Sequence, residues 1–315
     1  MKFRLISVLC CVVISVHEVL AEGDNEIKKG TFPFMAYILY SDESVMKSAA
    51  GRFLRGAVLV KPDWLVTASF GPAMMNQLTE GFPRKTLLAR LGSVAIDPLF
   101  TLSDDEYEQE REIIQIVSPQ NRSATQWWHT DISLLKTLLP FNITAAVNTA
   151  TLLTDKSIKN TDCFFLAYAR RTSNITEDRV LMQLYVDIMP DSPKECQPYY
   201  HETMICAKDN AEANKGKTYD GEFCEGSHGG PLICDNNVAG IQTYVDNNCK
   251  SPYIYQQLSM WNNFITCGIE DKCNEEGCAN VCTVTNKDEI ILFNRSIEIP
   301  TSKLVSHISS SVSTI

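Results

Sequence analysis

The chain has 315 residues, of which 44% are hydrophobic and 21% are charged, and its formal net charge at pH 7 is −10. This length and apolar content are enough to bury one large core or two small ones. The acidic balance argues against nucleic acid or an anionic lipid surface as the main partner, because both repel a negatively charged protein.

The N-terminus has the organisation of a secretory signal peptide. Lys2 and Arg4 precede an apolar run over residues 5–16, and the small or apolar residues 19–21 follow where signal peptidase cleaves. A run of about 12 residues is too short to cross the roughly 30 Å hydrocarbon layer of a membrane. We expect residues 1–21 to be removed after Ala21, the mature chain to be secreted to the extracellular space, and no integral membrane segment.

The cysteines and glycosylation sequons fit this route. Of twelve cysteines, Cys10 and Cys11 lie in the leader, and an even number remains, which favours disulfides over metal thiolates in a secreted chain. The acceptor sequence N-x-S/T for N-linked glycans occurs at Asn121, Asn142, Asn174 and Asn294. We expect glycosylation at some of these asparagines.

Short apolar segments alternate with turn-forming residues between about residues 32 and 258. This spacing predicts an all-β sandwich or a pair of barrels. A short helix is predicted over residues 260–265. The clearest predicted strands are residues 34–40, 56–60, 86–91, 113–117, 132–138, 181–188, 232–233 with 238–244, and 253–258.

The C-terminal residues 267–315 differ in composition. Cys267, Cys273, Cys278 and Cys282 lie close together in polar sequence that cannot bury a core, so we expect disulfides to hold it, with three pairings open. Beyond Thr283 the tail is rich in serine and threonine, with an apolar patch at residues 290–293. We expect a loose extension or a docking strand there.

Five segments, in order along the chain, resemble motifs of the chymotrypsin/trypsin family of serine proteases. Residues 224–234, CEGSHGGPLIC, resemble the nucleophile motif C-x-G-D-S-G-G-P-L-x-C, whose glycines permit a tight loop that directs N–H groups at an oxyanion. Residues 64–71, WLVTASFG, resemble the general-base motif W-V-L-T-A-A-H-C, and residues 130–136, TDISLLK, resemble N-D-I-A-L-L-K with its triad aspartate. Residues 33–37 resemble the first strand of the family. Residues 252–258 resemble the motif P-G-V-Y-T-x-V near the C-terminal end of the family's domain.

This resemblance implies an all-β fold of two six-stranded antiparallel β-barrels, with a short C-terminal helix and a cysteine-rich C-terminal extension. The trypsin-like domain would span residues 22–266, after the signal peptide 1–21 and before the extension 267–315. The family's disulfide beside its catalytic histidine is expected to be absent, because Leu54 and Gly71 stand at its two cysteine positions. The resemblance also implies the disulfides Cys163–Cys234, Cys196–Cys206 and Cys224–Cys249.

The family reaction needs a hydroxyl nucleophile, an imidazole base and an orienting carboxylate. In this sequence those positions are His228, Phe70 and Asp131, and a phenyl ring cannot accept a proton. Loss of either nucleophile or base alone lowers turnover on the order of 10⁶-fold in subtilisin. Ser227 stands where the family has the aspartate that pairs with the new N-terminus after activation. We expect no enzymatic activity and no zymogen switch.

The specificity pocket is also altered. By resemblance its base is Glu222 and its walls are Thr243 and Val245, and the valine would narrow the entrance. Glu222 would attract a basic side chain, although a solvated or internally paired acid is the favoured interpretation.

His228 has three interpretations: a new nucleophile, a metal ligand or an inert residue. We favour the inert residue, because the mature histidines lack ligand-like spacing and Phe70 offers no base. A further hypothesis has the His228 imidazole reaching Asp131, which would raise the histidine pKa. No metal or other cofactor is expected.

Asp131 is expected to be structural, satisfied by backbone N–H groups and the Thr243 hydroxyl. Phe70 and Trp64 are expected to fill the core or the cleft. One tryptophan of the Trp127-Trp128 pair is expected inside, and the other, where exposed, is a candidate contact residue.

The favoured function is a secreted, non-catalytic serine protease homologue that binds a protein partner as a cofactor or decoy. The partner would be an extracellular protease, its substrate or its inhibitor. One alternative is a divergent serine-type endopeptidase or hydrolase that uses His228 or a recruited group. Another is a structural secreted glycoprotein that multimerises through the cysteine-rich tail. Fold alone does not choose among them.

Overall fold

The structure is a computed structural model that describes residues 27–41, 52–70, 86–97, 99–103, 107–123, 125–155, 158, 162–170, 178–189, 194–215, 227–243 and 251–286. Strands predominate in these residues and form two antiparallel sheets. In chain order the described strands are β1 (Met35–Tyr40), β2 (Phe53–Lys61), β3 (Trp64–Thr67), β4 (Leu87–Leu91), β5 (Ala95–Ile96), β6 (Gln109–Pro119), β7 (Ser133–Thr137), β8 (Cys163–Arg170), β9 (Arg179–Ile188), β10 (Met204–Asp209), β11 (Pro231–Cys234), β12 (Asn237–Gln242), β13 (Tyr253–Gln257) and β14 (Cys282–Asn286).

Each sheet closes into a six-stranded barrel. In the first, the order is β6-β4-β1-β2-β3-β7, and pairing of β6 with β7 completes the ring. In the second, the order is β10-β13-β12-β11-β8-β9, and pairing of β9 with β10 completes it. The predicted pair of six-stranded antiparallel barrels is therefore confirmed. Each barrel also carries a seventh strand outside the ring, β14 on β6 and β5 on β9.

The two-residue period of a strand explains why β1 is buried on both faces. Ala36, Ile38 and Tyr40 join the core inside the first barrel. The alternate residues of β1, Met35, Tyr37 and Leu39, join a second core that also contains Tyr168 and Leu166 of the second barrel. One strand thus contributes to the barrel interior and to the interface between the barrels.

Helical structure is short and lies mainly near the C-terminal end of the described residues. A 3-10 helix, Leu258–Trp261, leads into α1 (Asn262–Ile269). The predicted helix over residues 260–265 is present, but it begins as a 3-10 turn and continues to Ile269. No helix in the described part of the chain is both long and apolar enough to span a membrane.

The segment after α1 packs against the first barrel. Disulfides join Cys267 to Cys278 and Cys273 to Cys282, which selects one of the three possible pairings. β14 then runs antiparallel to β6, with Cys282 opposite Pro119. Of the two expectations for the tail, a strand is present to Asn286. The apolar patch at residues 290–293 lies outside the described residues.

Two of the bridges that the resemblance implies are present in the second barrel, Cys163–Cys234 and Cys196–Cys206. Cys163 and Cys234 lie opposite each other on the paired strands β8 and β11. The third implied bridge, Cys224–Cys249, lies outside the described residues, as do the leader and the sequons at Asn174 and Asn294.

Candidate functional site

Asp131 is the centre of a buried polar cluster between the barrels. It follows the 3-10 helix Trp127–Thr130, precedes β7, and has no solvent exposure. One carboxylate oxygen, Oδ1, accepts hydrogen bonds from the Ser69 N–H at 2.8 Å and the Ser69 hydroxyl at 2.7 Å. The other, Oδ2, accepts a hydrogen bond from the Thr243 hydroxyl and faces His228 Nε2 at 3.1 Å. The carboxylate is therefore satisfied by an N–H group and the Thr243 hydroxyl, as expected from the sequence, and by two further side chains.

These partners keep Asp131 ionised. Burial by itself would raise the pKa of the carboxyl, but the attraction of His228 and the hydrogen bonds from His228, Thr243 and Ser69 outweigh it and lower the pKa from 3.8 to about 2. Asp131 therefore carries its charge at every physiological pH.

His228 is placed by a glycine-rich turn that brings the barrels together. The Gly56 N–H of β2 donates to the His228 carbonyl at 2.9 Å. Gly229, which follows, has φ +78°, and a Cβ there would overlap Thr67 and the Gly56 carbonyl. The glycines of the motif are thus needed for close backbone approach, and the imidazole is fixed toward Asp131.

The shift of the His228 pKa is opposite in direction to the one expected from the sequence. The predicted contact with Asp131 is present, but the expected rise in pKa is wrong. Burial, with the side chain only 17% exposed, and the positive charge of Arg55 outweigh the attraction of Asp131 and lower the pKa below 6.5. At pH 7 the imidazole is therefore neutral, and its Nε2–H donates to the carboxylate.

Phe70 is fully buried in the core of the first barrel with Ile38, Leu59 and Leu65. The Arg55 guanidinium lies over its ring, 4.4 Å from the centroid. Of the two roles expected for Phe70, the structure places it in the core. Trp64 is also buried.

Two arginines that sequence reasoning missed hold the segment 68–70. Arg55 Nη1 donates to the carbonyls of Ala68 at 2.9 Å and Ser69 at 2.7 Å, and Arg122 Nη1 donates to the Phe70 carbonyl at 3.0 Å. Burial lowers the pKa of Arg55 to about 10, against the attraction of Asp131, so it remains charged at pH 7. The signal for Arg55 was a charged residue inside the apolar strand FLRGAVLVK.

The connectivity of this cluster decides what it can do chemically. In a hydrolytic triad the imidazole lies between hydroxyl and carboxylate, so that it can take the hydroxyl proton. Here the carboxylate lies between the two, because the Ser69 hydroxyl donates to Asp131 rather than to His228. A carboxylate with a pKa of about 2 is too weak a base to activate an alcohol.

Other predicted site residues are only partly described. Thr243 is buried with its hydroxyl on Asp131. Glu222 and Val245 lie outside the described residues. Ser227 is buried, and its carbonyl accepts a hydrogen bond from the Gly230 N–H.

The tryptophan pair lies on the 3-10 helix just before Asp131. Trp127 is exposed, whereas Trp128 is partly buried against Tyr199, with ring centroids 5.3 Å apart. The rings of His129 and His201 lie nearby in a tilted arrangement, with centroids 4.8 Å apart, and burial together with the charge of His201 lowers the pKa of His129. Among the residues that the structure describes, no three histidine, cysteine or acidic side chains are grouped as metal ligands.

The part of the chain that forms the two barrels is similar in sequence to known proteins. The sequence profile of the Trypsin family matches residues 22–265. The chain belongs to the trypsin family. Among similar proteins, kallikrein-5 of Homo sapiens is 23% identical over 67% of this trypsin-family chain and 66% of its own length. Chymase of Cavia porcellus is 24% identical over 77% of this chain and 88% of its own length. Kallikrein 1-related peptidase b24 of Mus musculus is 26% identical over 68% of this chain and 80% of its own length.

Proposed function

We propose that this trypsin-family chain is a secreted, non-catalytic homologue that acts by binding another protein. The observation that supports the proposal most is the connectivity at Asp131, where the Ser69 hydroxyl and the His228 imidazole both bond to the carboxylate. In this arrangement the Asp131 carboxylate, which would only orient the imidazole in a triad, also accepts a hydrogen bond from the Ser69 hydroxyl. The serine therefore has no activating base.

The positions of Phe70 and His228 support the same conclusion. By the motif resemblance, Phe70 stands at the family's general base, and its ring lies in the apolar core under Arg55. His228 stands at the nucleophile, and its Nε2–H is engaged with Asp131. A proton acceptor and an alcohol are both missing from the places where acyl transfer requires them.

A binding role is supported by what the fold retains. The barrels form a disulfide-bonded scaffold, and Trp127 is exposed on it beside the partly buried Trp128. Exposed tryptophans beside a rigid frame are frequent energetic centres of protein interfaces. The proposed partner is an extracellular protease, its substrate or its inhibitor, with the chain acting as cofactor or decoy after export.

Catalytic competence is tested by turnover. The full chain, secreted from a eukaryotic host, is assayed on a panel of peptide and ester substrates beside active trypsin. We expect a rate equal to that of buffer. Turnover that disappears in His228→Ala would contradict the proposal.

The opposing candidate is a divergent hydrolase, which family membership favours because relatives are named as peptidases, such as kallikrein 1-related peptidase b24. It differs from our proposal in what it predicts for turnover and for labelling of a cleft serine by an activity probe. The structural glycoprotein alternative is weakened by one observation. The four tail cysteines are paired within the chain, which leaves none of these four to join a second molecule.

Partner binding is tested with a surface variant. Immobilised wild-type protein and Trp127→Ala are each exposed to an extracellular protease panel and its inhibitors. We expect at least one protein to bind the wild type and to bind Trp127→Ala several-fold more weakly. Equal binding by both proteins would exclude Trp127 as the contact.

A further inference from the structure

Two leucines and an isoleucine are exposed within the six residues that follow β7. Leu138 is 56% exposed, Leu139 is 61% exposed and Ile143 is 49% exposed. We call these three side chains the β7 apolar patch. Grouped exposed apolar side chains on a soluble protein indicate a covered surface or an aggregation risk, whereas single ones need no explanation.

The backbone that presents this patch is anchored. The Leu138 N–H donates to the Glu112 carbonyl at 2.8 Å, and the Phe141 N–H donates to the Pro62 carbonyl at 2.7 Å. Phe141 itself is buried, and Arg111 Nε donates to the Pro140 carbonyl at 3.0 Å. The exposure of the patch is therefore built into the fold and does not come from a frayed chain end.

A glycosylation sequon lies inside the same segment. Asn142-Ile143-Thr144 has the form N-x-T, and Asn142 is exposed. Gln109 binds the main chain of Asn142 twice, donating to its carbonyl and accepting from its N–H, both at 2.8 Å. The hydrogen bonds that hold Asn142 are thus made by backbone atoms, and the side-chain amide is not required by the fold.

We propose that Asn142 carries an N-linked glycan that covers the β7 apolar patch. A glycan on Asn142, next to Ile143 and three residues after Leu139, is a bulky, solubilising group in the same anchored segment, and it excludes a protein partner from this face. The inference rests on the proposed export of the chain but not on its loss of catalysis. Turnover in the assay would therefore overturn the proposed loss of catalysis and leave this inference standing. A glycan map without Asn142 would overturn this inference and leave the loss of catalysis standing.

Occupancy is tested on the full chain secreted with its own leader. N-glycans are removed enzymatically in heavy-oxygen water, which marks each formerly glycosylated asparagine as labelled aspartate, and the peptides are mapped by mass spectrometry. We expect label at Asn142 in the wild type and in Thr144→Ser, which keeps the sequon and the hydroxyl that accepts from the Val147 N–H. An unlabelled Asn142 in the secreted wild type overturns the proposal.

The covering role is tested by Asn142→Gln against Asn121→Gln, which removes the other described sequon. We expect Asn142→Gln to bind an apolar fluorescent dye several-fold more strongly and to self-associate, and additional Leu138→Ser and Leu139→Ser changes to reverse this. Enzymatic trimming of the folded wild-type glycans provides the same comparison without a substitution. Equal dye binding by both glutamine variants and by trimmed and untrimmed wild type would refute the covering role.

Discussion

At the scale of single residues, the buried carboxylate of Asp131 organises its surroundings. Three side chains from three separate segments donate to it, namely Ser69, Thr243 and His228. A buried charge is tolerated when its hydrogen bonds are complete, and removing it leaves its donors unpaired in a place that water does not reach. The carboxylate therefore has a structural role that does not depend on catalysis.

Asp131→Ala should destabilise the fold by about 3–5 kcal/mol, the range for breaking a buried charge cluster from one side. The matched control is Asp271→Asn, which removes the charge of an exposed ion pair with Lys136 but keeps a residue type that tolerates the positive φ there, and it should cost about 0–1 kcal/mol. The measurement is the free energy of unfolding in urea. Similar losses for the two variants would mean that the Asp131 cluster contributes little.

Acid should destabilise the protein through both members of the Asp131–His228 pair. The folded-state pKa of each is lowered, Asp131 from 3.8 to about 2 and His228 from 6.5. A group with a lowered folded pKa stabilises the fold above its unfolded-state pKa, and this contribution is lost as the pH falls. Stability is lost first below about pH 6.5, as His228 becomes protonated. It falls further below about pH 4, as Asp131 becomes protonated, and the pKa shift of Asp131 corresponds to about 2–3 kcal/mol of unfolding free energy.

This pH dependence is measured as unfolding free energy at about pH 7.5, 5.5 and 3.5. His228→Gln should flatten the decline between the first two values and leave the decline at lower pH. A protein that becomes more stable on acidification to about pH 5.5 would show that His228 is protonated more easily in the fold than in the unfolded chain.

At the scale of elements, β14 depends on covalent support. Its only described partner strand is β6. The disulfide Cys273–Cys282 ties its start to the turns after α1, and the disulfide Cys267–Cys278 ties those turns to α1. A single edge strand gains little stability by itself, so the bridges determine whether it stays docked.

Replacing Cys273 and Cys282 by serine should lower the free energy of unfolding by roughly 2–4 kcal/mol. Amide exchange should accelerate across β14 and along the facing residues of β6, while β8 to β13 stay protected. Unchanged exchange in β14 would show that strand pairing alone holds it.

The sequence predicted most of the strands and the barrel architecture, because their apolar residues alternate or form short runs bounded by turns. It left β14 open between a loose extension and a docking strand, because the residues CTVTN carry little apolar pattern and become a strand through β6 and the disulfides. It located Asp131, Thr243 and His228 as one site through motif resemblance. The direction of the His228 pKa was missed because it depends on burial and on Arg55, which is distant along the chain.

At the scale of the whole molecule, the two barrels are joined by a buried aromatic and cationic interface. Tyr37 of the first barrel and Tyr168 of the second have ring centroids 5.2 Å apart, and Arg179 lies 4.2 Å from the Phe53 ring centroid. The Tyr168 hydroxyl donates to the Ser93 carbonyl at 2.8 Å. We therefore expect the barrels to unfold together.

Tyr168→Phe removes that hydroxyl and leaves the ring packing in place. It should lower the unfolding free energy by about 1–3 kcal/mol, because the buried Ser93 carbonyl loses its donor. The transition should stay single when followed by fluorescence and by circular dichroism. Two separated transitions in the wild type would contradict coupling of the barrels.

The central claim is that no hydroxyl in this cleft is activated for attack. Fluorophosphonate probes react with an activated serine, so we would incubate the purified, folded chain with such a probe beside active trypsin and weigh both proteins intact. The account predicts a full adduct on trypsin and none on this chain. An adduct that maps to Ser69, or to any serine of the cleft, would contradict it.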